Sequence, residues 1–493
     1  MNLAEWKNKR IGILGFGREG QATLKFLLKH LPEAKLGVAD QRAIEQMSEE
    51  EKTLLGLIGV DNCYLGQSYL DNLESFDLII KSPGINPRLP KIMAAQRAGV
   101  VISSATNIFF SQKKGQVIAV TGSKGKSTTA SLIYAVLTAA GKDTDLIGNI
   151  GKPALDFLVG DLDDQNGDSP EKIYVFEMSS YQLEDFDGQA EVAVLINFFP
   201  EHLDYHGSLE AYFQAKIRLV TGGLEKALAG ASAAALSGQK IIYNWQTNEY
   251  RNYLAKLQVE QGDRPSGEKA VLIPFNDTNS LVKDENGELS AWVDGQKVVE
   301  AKDMHLQGRH NLENLLAVYQ VARLFRIDLA TFQQAVCAFQ PLEHRLEMVG
   351  TYGEIIFYND AISTTPESTI AAIEALCRDK KITTLIAGGM DRGYQFEALA
   401  EKIVEAGIDN LLLLPETGEK IAAEVKKAAD KFVKPAPICE FFSDLEGLVK
   451  RAYLLSQKGG ICLLSCASPS YNLFKNFEER GRRFKEAVRN LAS

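Results

Sequence analysis

The sequence predicts an α/β protein of three domains with largely parallel sheets. Three times, a short run rich in β-branched residues leads into a glycine-rich loop and then an amphipathic helix, which is the pattern of βα units in a parallel sheet. The runs are Arg10–Leu14, Gln116–Val120 and Ile382–Ala387, and the loops after them read GFGREG, TGSKGKST and GGMDRG. Because ligands of such sheets bind beyond the carboxyl ends of the strands, each loop is expected to border a functional cleft. A chain of 493 residues also fits three domains of about 150 residues each.

Domain boundaries are predicted at two changes in sequence character. The polar stretch SQKKG precedes a new strand near residue 115, and PLEHR follows Gln340. We therefore predict domains at residues 1–112, 113–340 and 341–493. Residues 245–300 are polar and contain the strand-like pieces VLIPF and LSAWVDGQKVV with NG and DG turn signals. They are interpreted as a small β appendage.

Composition excludes several classes of protein. Apolar residues make up 45% of the chain and charged residues 24%, as in a packed soluble protein. The formal net charge of −10 provides no global positive field for nucleic acid or an anionic membrane, so an anionic ligand has to be bound locally. We recognise neither a signal peptide nor a membrane-spanning run. The six cysteines form no CxxC pair, so we expect a cytoplasmic protein, and its acidity is compatible with a monomer.

The most informative motif is VTGSKGKST, in which a strand ends in a glycine-rich loop and a Lys-Ser pair opens a helix. Backbone N–H groups and the helix dipole then face a phosphate. Lys126 is expected to contact the β- and γ-phosphates, and Ser127 to offer its hydroxyl to Mg²⁺. The GxxGKS spacing is shorter than the strict Walker pattern, and a glycine-lysine turn without function is the alternative. The candidate phosphate-binding residues are Gly122, Ser123, Lys124, Gly125, Lys126, Ser127 and Thr128.

Two further strands are predicted to bring polar side chains to the same edge of the sheet. The strand IYVF ends in Glu177, whose carboxylate is a candidate Mg²⁺ ligand. The strand VAVLIN leads into FFPEHLDYH, which brings His202 and Asp204 to this edge. A solvated loop acid and a structural histidine are the alternatives for Glu177 and His202. His206 is expected at the surface.

Six motifs in order resemble the signatures of the Mur ligase family: TGSKGKST, EMSSYQLE, NFFPEHLD, GRHNLEN, PLEHRLE and SCASPSYNLFKNFEERG. The resemblance covers nearly the whole chain. It implies an N-terminal Rossmann-like domain for a UDP-sugar, a central P-loop ATPase-type domain with a parallel or mixed sheet, and a C-terminal Rossmann-like domain for an amino acid. FKNFEERG and GFGREG are most similar to the members that add glutamate to UDP-N-acetylmuramoyl-L-alanine. In that reaction ATP phosphorylates the substrate carboxylate, and the amine attacks the acyl phosphate.

The resemblance also implies a catalytic group of Lys126, His202 and Lys216. Ser127 and Glu177 resemble the ligands of one Mg²⁺, and His202 resembles a ligand of a second. Lys216 matches the lysine that the family carbamylates with CO₂, which replaces a cation by an anion able to stabilise the second metal. From the residues alone, an exposed helical lysine is the default interpretation of Lys216, and only the resemblance favours a functional role.

For the adenine and ribose of ATP, family positions are matched by Asn149, Asn314, His344, Arg345 and Asp360. Arg345 is also a candidate contact of the γ-phosphate. Because the EHR and YND motifs follow the second domain boundary, domain closure is expected to complete the ATP site. An interdomain salt bridge is the alternative.

The GFGREG loop has two interpretations. It is a literal GxGxxG after a strand, with Asp40 about 20 residues on, so a dehydrogenase is the first rival. The Mur ligases use this loop for UDP instead. On that reading the candidate UDP-sugar residues are Gly17, Arg18, Glu19, Asp40, Arg42, Ser82, Gly84, Ser179 and Gln182.

The candidate amino-acid residues are Thr364, Arg392, Ser470 and Phe477. Two positions depart from the family pattern: Ile362 stands where a lysine is usual, and Arg392 also replaces a lysine. A glutamate therefore loses one expected cation, and its stereochemistry stays open between D and L. Thr364 and Thr365 are candidates to replace the salt bridge by hydroxyl bonds. A ligase that extends folate and a non-catalytic UDP-sugar-binding regulator remain further alternatives.

Overall fold

The computed structural model describes residues 3–161, 172–222, 238–260, 269–306, 308–377 and 380–492. The side chains of residues 159–161, 204, 260 and 492 lie outside this description, so the expectation for Asp204 is not addressed. The chain forms two compact units, Met1–Met304 with Arg309–Phe339 and His305–Gly308 with Gln340–Ser493. Both are α/β, as the sequence predicts.

The first unit begins with a five-stranded parallel sheet in the order β3-β2-β1-β4-β5. Its strands are β1 (Arg10–Leu14), β2 (Lys35–Asp40), β3 (Cys63–Leu65), β4 (Leu78–Lys81) and β5 (Val101–Ser103). Its helices are α1 (Arg18–His30), α2 (Glu49–Gly56), α3 (Pro90–Arg97) and α4 (Ala105–Gln112). The central strands are apolar and buried because helices cover both faces, as expected of a parallel sheet.

Close backbone packing defines the GFGREG turn between β1 and α1. Gly15 has φ +90°, and its carbonyl accepts a hydrogen bond of 2.9 Å from Ser82 Oγ. A Cβ on Gly20 would lie 2.1 Å from the Gly15 carbonyl oxygen, whereas a Cβ on Gly17 would meet nothing within 4 Å. Asp40 Oδ2 accepts a 2.6 Å bond from the amide of Phe16. The carboxylate therefore holds the turn from within.

The same unit contains a six-stranded sheet that is parallel throughout, in the order β11-β10-β9-β6-β8-β7. Its strands are β6 (Gln116–Thr121), β7 (Thr144–Gly148), β8 (Ile173–Glu177), β9 (Val192–Leu195), β10 (Lys240–Asn244) and β11 (Val271–Phe275). Its helices are α5 (Lys126–Ala139), α6 (Ala154–Asp161), α7 (Ser180–Leu183), α8 (Leu203–His206), α9 (Leu209–Thr221), α10 (Asn248–Glu260), α11 (Arg309–Leu324) and α12 (Leu329–Ala338).

The β appendage predicted at residues 245–300 is partly wrong. VLIPF is β11 and forms the edge of the main sheet, and residues 248–260 form α10. A small antiparallel sheet does follow, with β12 (Ser280–Glu285), β13 (Glu288–Val293) and β14 (Gln296–Glu300). Its two tight turns contain Asn286-Gly287 and Asp294-Gly295, all four with positive φ, as two-residue hairpin loops require.

Side chains join the five-stranded sheet to the six-stranded sheet within this unit. Lys81, the last residue of β4, is buried, and its Nζ lies 2.9 Å from Asp185 Oδ2. Arg88 pairs with Glu184 and donates 2.6 Å to the carbonyl of Tyr205. A continuous apolar core also runs from α1 and α4 to α6 and β8. The two sheets are therefore held in one packed body.

The second unit has a mixed six-stranded sheet in the order β15-β16-β20-β17-β18-β19, in which β15 alone is antiparallel to its neighbour. Its strands are β15 (Glu347–Tyr352), β16 (Ile355–Asn359), β17 (Ile382–Gly389), β18 (Asn410–Glu416), β19 (Ile438–Phe441) and β20 (Ile461–Leu464). Its helices are α13 (Pro366–Leu376), α14 (Glu397–Glu405), α15 (Thr417–Phe432), α16 (Leu445–Leu455) and α17 (Phe477–Arg489). Within the described ranges, none of the helices has the length and apolar character needed to cross a bilayer.

The GFGREG geometry predicts a difference between two glycine substitutions in one turn. Gly20→Ala would push a methyl group into the Gly15 carbonyl, so the unfolding midpoint in urea should fall by the equivalent of about 1–3 kcal/mol. Gly17→Ala, with open space and φ of −73°, is the matched control and should leave the midpoint near that of the wild type. Equal midpoints for the two variants would contradict this packing.

Candidate active site

The carboxyl ends of three neighbouring strands form the centre of the site. β6 lies between β8 and β9, with Val120 opposite Glu177 on one side and Val194 on the other. The loop Gly122–Gly125 follows β6 directly and leads into α5. As predicted, the phosphate loop and Glu177 therefore lie at the same edge of the sheet.

Asn197, which follows β9, holds the phosphate loop in place. Its side-chain Oδ1 accepts a 2.8 Å hydrogen bond from the backbone amide of Lys124, and its Nδ2 donates a 2.9 Å bond to the Lys124 carbonyl. Its backbone carbonyl accepts a 3.0 Å bond from the backbone amide of Ser123. These three bonds fix both the position and the orientation of the loop. We had not assigned Asn197 to the site. A polar residue directly after a strand beside the phosphate loop is the signal that could have identified it.

The Ser123 hydroxyl faces inward. It donates a 2.9 Å hydrogen bond to the carbonyl of Phe199 and accepts a 2.9 Å bond from the backbone amide of the same residue. It also lies 3.0 Å from the hydroxyl of Tyr212. Ser123 is buried, so its side chain connects the loop to the protein interior while its backbone remains part of the loop. Tyr212 is a second residue that sequence reasoning missed, because its position on α9 carries no local motif.

Asn314, on α11, packs against the phosphate loop. Gly125 has φ +81°, and a Cβ there would lie 2.5 Å from Asn314 Nδ2. Glycine is thus required twice over, for the left-handed backbone and for the approach of the amide. The structure brings these two predicted residues together.

Two lysines converge on one backbone carbonyl. Lys126 Nζ donates to the carbonyls of Gly122 and Ser123 at 2.9 and 2.8 Å, and Lys216 Nζ donates to Gly122 at 2.8 Å. Lys216 is 1% exposed, so it is not the exposed helical lysine of the alternative interpretation. Burial, together with the positive charge of Lys126 and partly offset by Glu201, holds the pKa of Lys216 well below its ordinary value.

Glu177 and Asn149 form a second pair. Asn149 Nδ2 donates 2.9 Å to Glu177 Oε1, and the Asn149 amide donates 3.1 Å to the Glu177 carbonyl. Glu177 is buried, and its Oε2 has no hydrogen-bond partner among the described residues. An unsatisfied buried carboxylate oxygen fits a cation, which would supply the missing partner.

The described part of the chain contains no group of three or more His, Cys, Asp or Glu side chains placed to hold a metal. Glu177 and the Ser127 hydroxyl, on the first turn of α5, are nevertheless oxygen donors of the kind that Mg²⁺ prefers. Mg²⁺ commonly uses one or two protein ligands and completes its shell with water and substrate phosphates. The residues present therefore fit this ion at a nucleotide site.

The two histidines after β9 have opposite environments. His202 is exposed with φ +55°, and its Nδ1 lies 3.0 Å from the hydroxyl of Tyr181. The expectation that His206 is at the surface was wrong. His206 is 4% exposed, with Nε2 3.0 Å from Ser180 Oγ and Nδ1 2.9 Å from a carboxylate oxygen of Glu184. The amphipathic turn of α8 places it inward, which a four-residue helix does not reveal in sequence.

The candidate UDP-sugar residues near β2 form an internal ion network. Arg42 donates to Asp40 Oδ1 through Nε and to Glu51 Oε1 through Nη1, both at 3.0 Å. Its Nη2 donates 3.0 Å to the carbonyl of Phe16 in the GFGREG turn. The guanidinium is thus oriented by two carboxylates. Glu51 was not predicted.

A second set of these residues joins α1 to α7. Ser179 and Gln182 form a capping box at the start of α7. Ser179 Oγ accepts a hydrogen bond from the backbone amide of Gln182, and Gln182 Oε1 accepts one from the backbone amide of Ser179. Gln182 Nε2 also donates 2.8 Å to Glu19 Oε1. Burial raises the pKa of Glu19, against the lowering effect of the Gln182 bond and of Lys81. Arg18 Nη2 donates 2.5 Å to the carbonyl of Gly151.

In the second unit, the candidate residues His344 and Asp360 are both buried. The Asn359 amide nitrogen lies 2.9 Å from His344 Nδ1, and burial lowers the pKa of His344. Asp360 Oδ2 accepts 2.7 Å from Ser465 Oγ. Burial raises the pKa of Asp360 to about 6, although Ser363, Ser465 and Arg345 oppose it. Arg345 Nε is buried without a hydrogen-bond partner in the described part of the chain.

The candidate amino-acid residues all follow strands at one edge of the second unit's sheet. Thr364 follows β16, Arg392 follows β17, Ser470 follows β20, and Phe477 begins α17. Arg392 is exposed, with its guanidinium carbon 5.6 Å from the ring centre of Tyr471.

The structure bears on the expectation that the hydroxyls of Thr364 and Thr365 compensate for Ile362. The Thr365 hydroxyl caps α13 by accepting from the Ser368 amide at 3.4 Å, so it is already engaged. The amide of Ile362 donates 3.1 Å to the His344 carbonyl. Of the two hydroxyls expected to compensate for Ile362, Thr364 is therefore the better candidate.

Comparisons with known proteins agree along the chain. Family models match residues 9–104 (Mur ligase MurD-like, N-terminal domain), 120–322 (Mur ligase middle domain) and 344–468 (Mur ligase, glutamate ligase domain). A UDP-N-acetylmuramoylalanine–D-glutamate ligase of Acetivibrio thermocellus is 33% identical, with 98% of this chain and 97% of the relative covered. A UDP-N-acetylmuramoyl-L-alanine–L-glutamate ligase of a Micromonospora species is 30% identical, with 100% and 99% covered.

Solved structures share the fold. UDP-N-acetylmuramate-alanine ligase MurC of Thermotoga maritima aligns with a TM-score of 0.55 and 18% identity, covering 98% of this chain and all of that one. Folylpolyglutamate synthase of Mycobacterium tuberculosis aligns with a TM-score of 0.53 and 15% identity, covering 77% and 91%. The MurD-like model over the GFGREG region removes the dehydrogenase alternative. The chain belongs to the Mur ligase family and is an ATP-dependent, amide-forming ligase.

Proposed function

We propose that this ligase joins D-glutamate to UDP-N-acetylmuramoyl-L-alanine in the synthesis of peptidoglycan precursors. The observation that carries the proposal is the convergence of Lys126 and Lys216 on the phosphate-loop carbonyl of Gly122, at the same sheet edge as the unsatisfied carboxylate oxygen of Glu177. Such an arrangement suits transfer of a phosphoryl group from ATP to a carboxylate. The full-length similarity to ligases named for this substrate supports the choice of acceptor.

The reaction follows from the chemistry of a carboxylate. A free carboxylate is a poor electrophile, so one of its oxygens first takes the γ-phosphoryl group of ATP, releasing ADP. The amine of glutamate then attacks the acyl carbon, and collapse of the tetrahedral intermediate expels phosphate and leaves an amide. The backbone N–H groups at the start of α5 bind phosphate oxygens, and Lys126 exchanges its bonds to Gly122 and Ser123 for the γ-phosphate.

Two Mg²⁺ ions are part of the proposal. Ser127 and Glu177 would hold the first, and His202 with a carbamylated Lys216 the second. The ions supply positive charge to phosphate oxygens when bound. Asn149 orients Glu177 by its bond to Oε1, and Oε2, which has no hydrogen-bond partner among the described residues, would be the oxygen available to the cation.

Carbamylation of Lys216 is supported by its surroundings. A lowered pKa increases the neutral fraction of a lysine, and the nitrogen lone pair of the neutral amine can add to the carbon of CO₂ with loss of one proton. The product is an anion beside the cation of Lys126. The repulsion that Lys126 exerts on a protonated Lys216 would thus be replaced by attraction to the carbamate.

We propose domain roles to match. Residues 1–112 bind the UDP-sugar, residues 113–340 bind ATP and residues 341–493 bind glutamate, with Asn149, Asn314, His344, Arg345 and Asp360 completing the adenine and ribose contacts. The free state of all six cysteines is compatible with a cytoplasmic location. A monomer is the proposed assembly.

The choice of D-glutamate over L-glutamate needs its own test, because relatives named for each enantiomer match 98% or more of the chain. We predict that phosphate release with ATP, Mg²⁺ and UDP-N-acetylmuramoyl-L-alanine is stimulated by D-glutamate and not by L-glutamate. Release with L-glutamate alone would reverse the stereochemical assignment and link it to Ile362. Release with neither enantiomer would refute glutamate as the substrate.

Lys216→Ala should lower kcat by at least about 100-fold, the usual effect of removing one electrostatic stabiliser of a transition state. The matched control is Lys256→Ala, which removes an exposed lysine from α10 and should retain full activity. Enriching wild-type protein with ¹³CO₂ should give a carbamate carbon signal in the NMR spectrum that Lys216→Ala lacks. An unchanged spectrum in the variant would exclude Lys216 as the modified residue.

A further inference from the structure

A buried chain of polar groups connects the loops at the carboxyl edge of the second unit's sheet. Thr417, the first residue of α15, is fully buried, and its hydroxyl donates 3.0 Å to the carbonyl of Gly389. The same hydroxyl lies 2.8 Å from Ser468 Oγ. Because the single proton of Thr417 is used on Gly389, the serine hydroxyl is the donor in the second bond.

Arg480 continues the chain from α17. Its side chain is fully buried, with Nη1 donating 3.1 Å to the carbonyl of Ser468 and Nη2 donating 2.8 Å to the carbonyl of Ala361. Nε has no hydrogen-bond partner among the described residues. A buried guanidinium is costly unless its bonds are well made, so the two carbonyls are held firmly to its rigid fork. We call Thr417, Ser468 and Arg480 the pocket clamp.

Each contact of the pocket clamp lies close in sequence to a candidate amino-acid residue. Ala361 precedes Thr364 by three positions, Gly389 precedes Arg392 by three, and Ser468 precedes Ser470 by two. Arg480 itself follows Phe477 by three positions on the same helix. The clamp thus touches all four segments that carry candidate pocket residues.

The backbone supports the same connection. The Met390 amide donates 2.8 Å to the carbonyl of Pro469, and a Cβ on Gly389 would lie 2.2 Å from that oxygen. The loops after β17 and β20 are therefore packed so closely that a change in one displaces the other. The hydroxyl of Thr417 reaches both of them from α15.

We infer that Thr417, Ser468 and Arg480 are positioning residues for the amino-acid substrate, and that they determine its KM by fixing the spacing of the four pocket segments. This inference rests on the proposed function, since it concerns the glutamate pocket. The three side chains are too deeply buried to contact a substrate. They act through Thr364, Arg392, Ser470 and Phe477, because an amino acid held by groups from separate loops is bound tightly when those loops are preorganised.

The test is the nearly isosteric change Thr417→Val, which removes the hydroxyl and keeps the volume. Loss of its two hydrogen bonds should raise KM for glutamate by about 5- to 30-fold, while KM for ATP and for the UDP-sugar stays within about twofold of wild type. Arg480→Lys retains the charge but loses the planar fork, and it should shift KM for glutamate in the same direction.

Thr384→Val is the matched control. Thr384 is also fully buried in this sheet, and its hydroxyl accepts 2.7 Å from Ser456 Oγ. It lies near the start of β17, away from the carboxyl edge. Thr384→Val should lower the unfolding midpoint by an amount similar to Thr417→Val and leave KM for glutamate unchanged.

The KM values of these variants and the response of the wild-type protein to glutamate distinguish three cases. If wild-type protein releases phosphate with glutamate and Thr417→Val binds glutamate normally, the inference fails and the proposed function stands. An equal rise in KM for Thr384→Val would mean that general loss of stability, and no pocket clamp, produces the effect. If wild-type protein does not respond to glutamate, the proposed function fails and the inference fails with it.

Discussion

Parallel pairing of β6 with β8 and β9 is the constraint on which the candidate active site depends. Because the three strands run in one direction, their carboxyl ends open at one edge, and the residues that follow them meet there. Asn197 then holds the phosphate loop by three hydrogen bonds, and the glycine backbone allows Asn314 to approach from α11. The proposed roles of Lys126 and Lys216 depend on this frame, since both lysines donate to a carbonyl of the loop itself.

Much of this arrangement could be predicted from the sequence, because strand ends and glycine-rich loops are local features. The first strand was predicted residue for residue, and Glu177 was assigned to the correct edge. Asn197 and Tyr212 were missed because their partners lie 73 and 89 positions away in the chain. The error on VLIPF has a similar origin. An edge strand of a parallel sheet and a strand of a separate hairpin have the same composition, and pairing with β10 decides between them.

The candidate residues of the two units differ in their electrostatic surroundings. In the first unit, buried carboxylates face an opposite charge or keep an acceptor without a partner. Asp40 and Glu51 pair with the partly exposed Arg42, and Glu177 Oε2 has no hydrogen-bond partner among the described residues. In the second unit, the pocket segments are joined by neutral carbonyls and hydroxyls around one buried guanidinium. In the proposed pocket, neutral bonds would keep their geometry when an amino acid with two carboxylates binds, whereas ion pairs would compete with it.

The double use of Gln182 has a consequence for modular exchange among these enzymes. Its side-chain oxygen caps α7, which follows β8 of the six-stranded sheet, by accepting a hydrogen bond from the Ser179 amide. Its side-chain nitrogen donates a hydrogen bond to Glu19 on α1 of the five-stranded sheet's region. Lys81 and Asp185 form another pair across the same boundary. A chimera that takes residues before β6 from one enzyme and the remainder from another inherits half of each pair. Where the other enzyme lacks the matching partner, such recombinants would carry an orphaned amide or a buried lone lysine at the junction, so the five-stranded and six-stranded sheets are best exchanged together as one block.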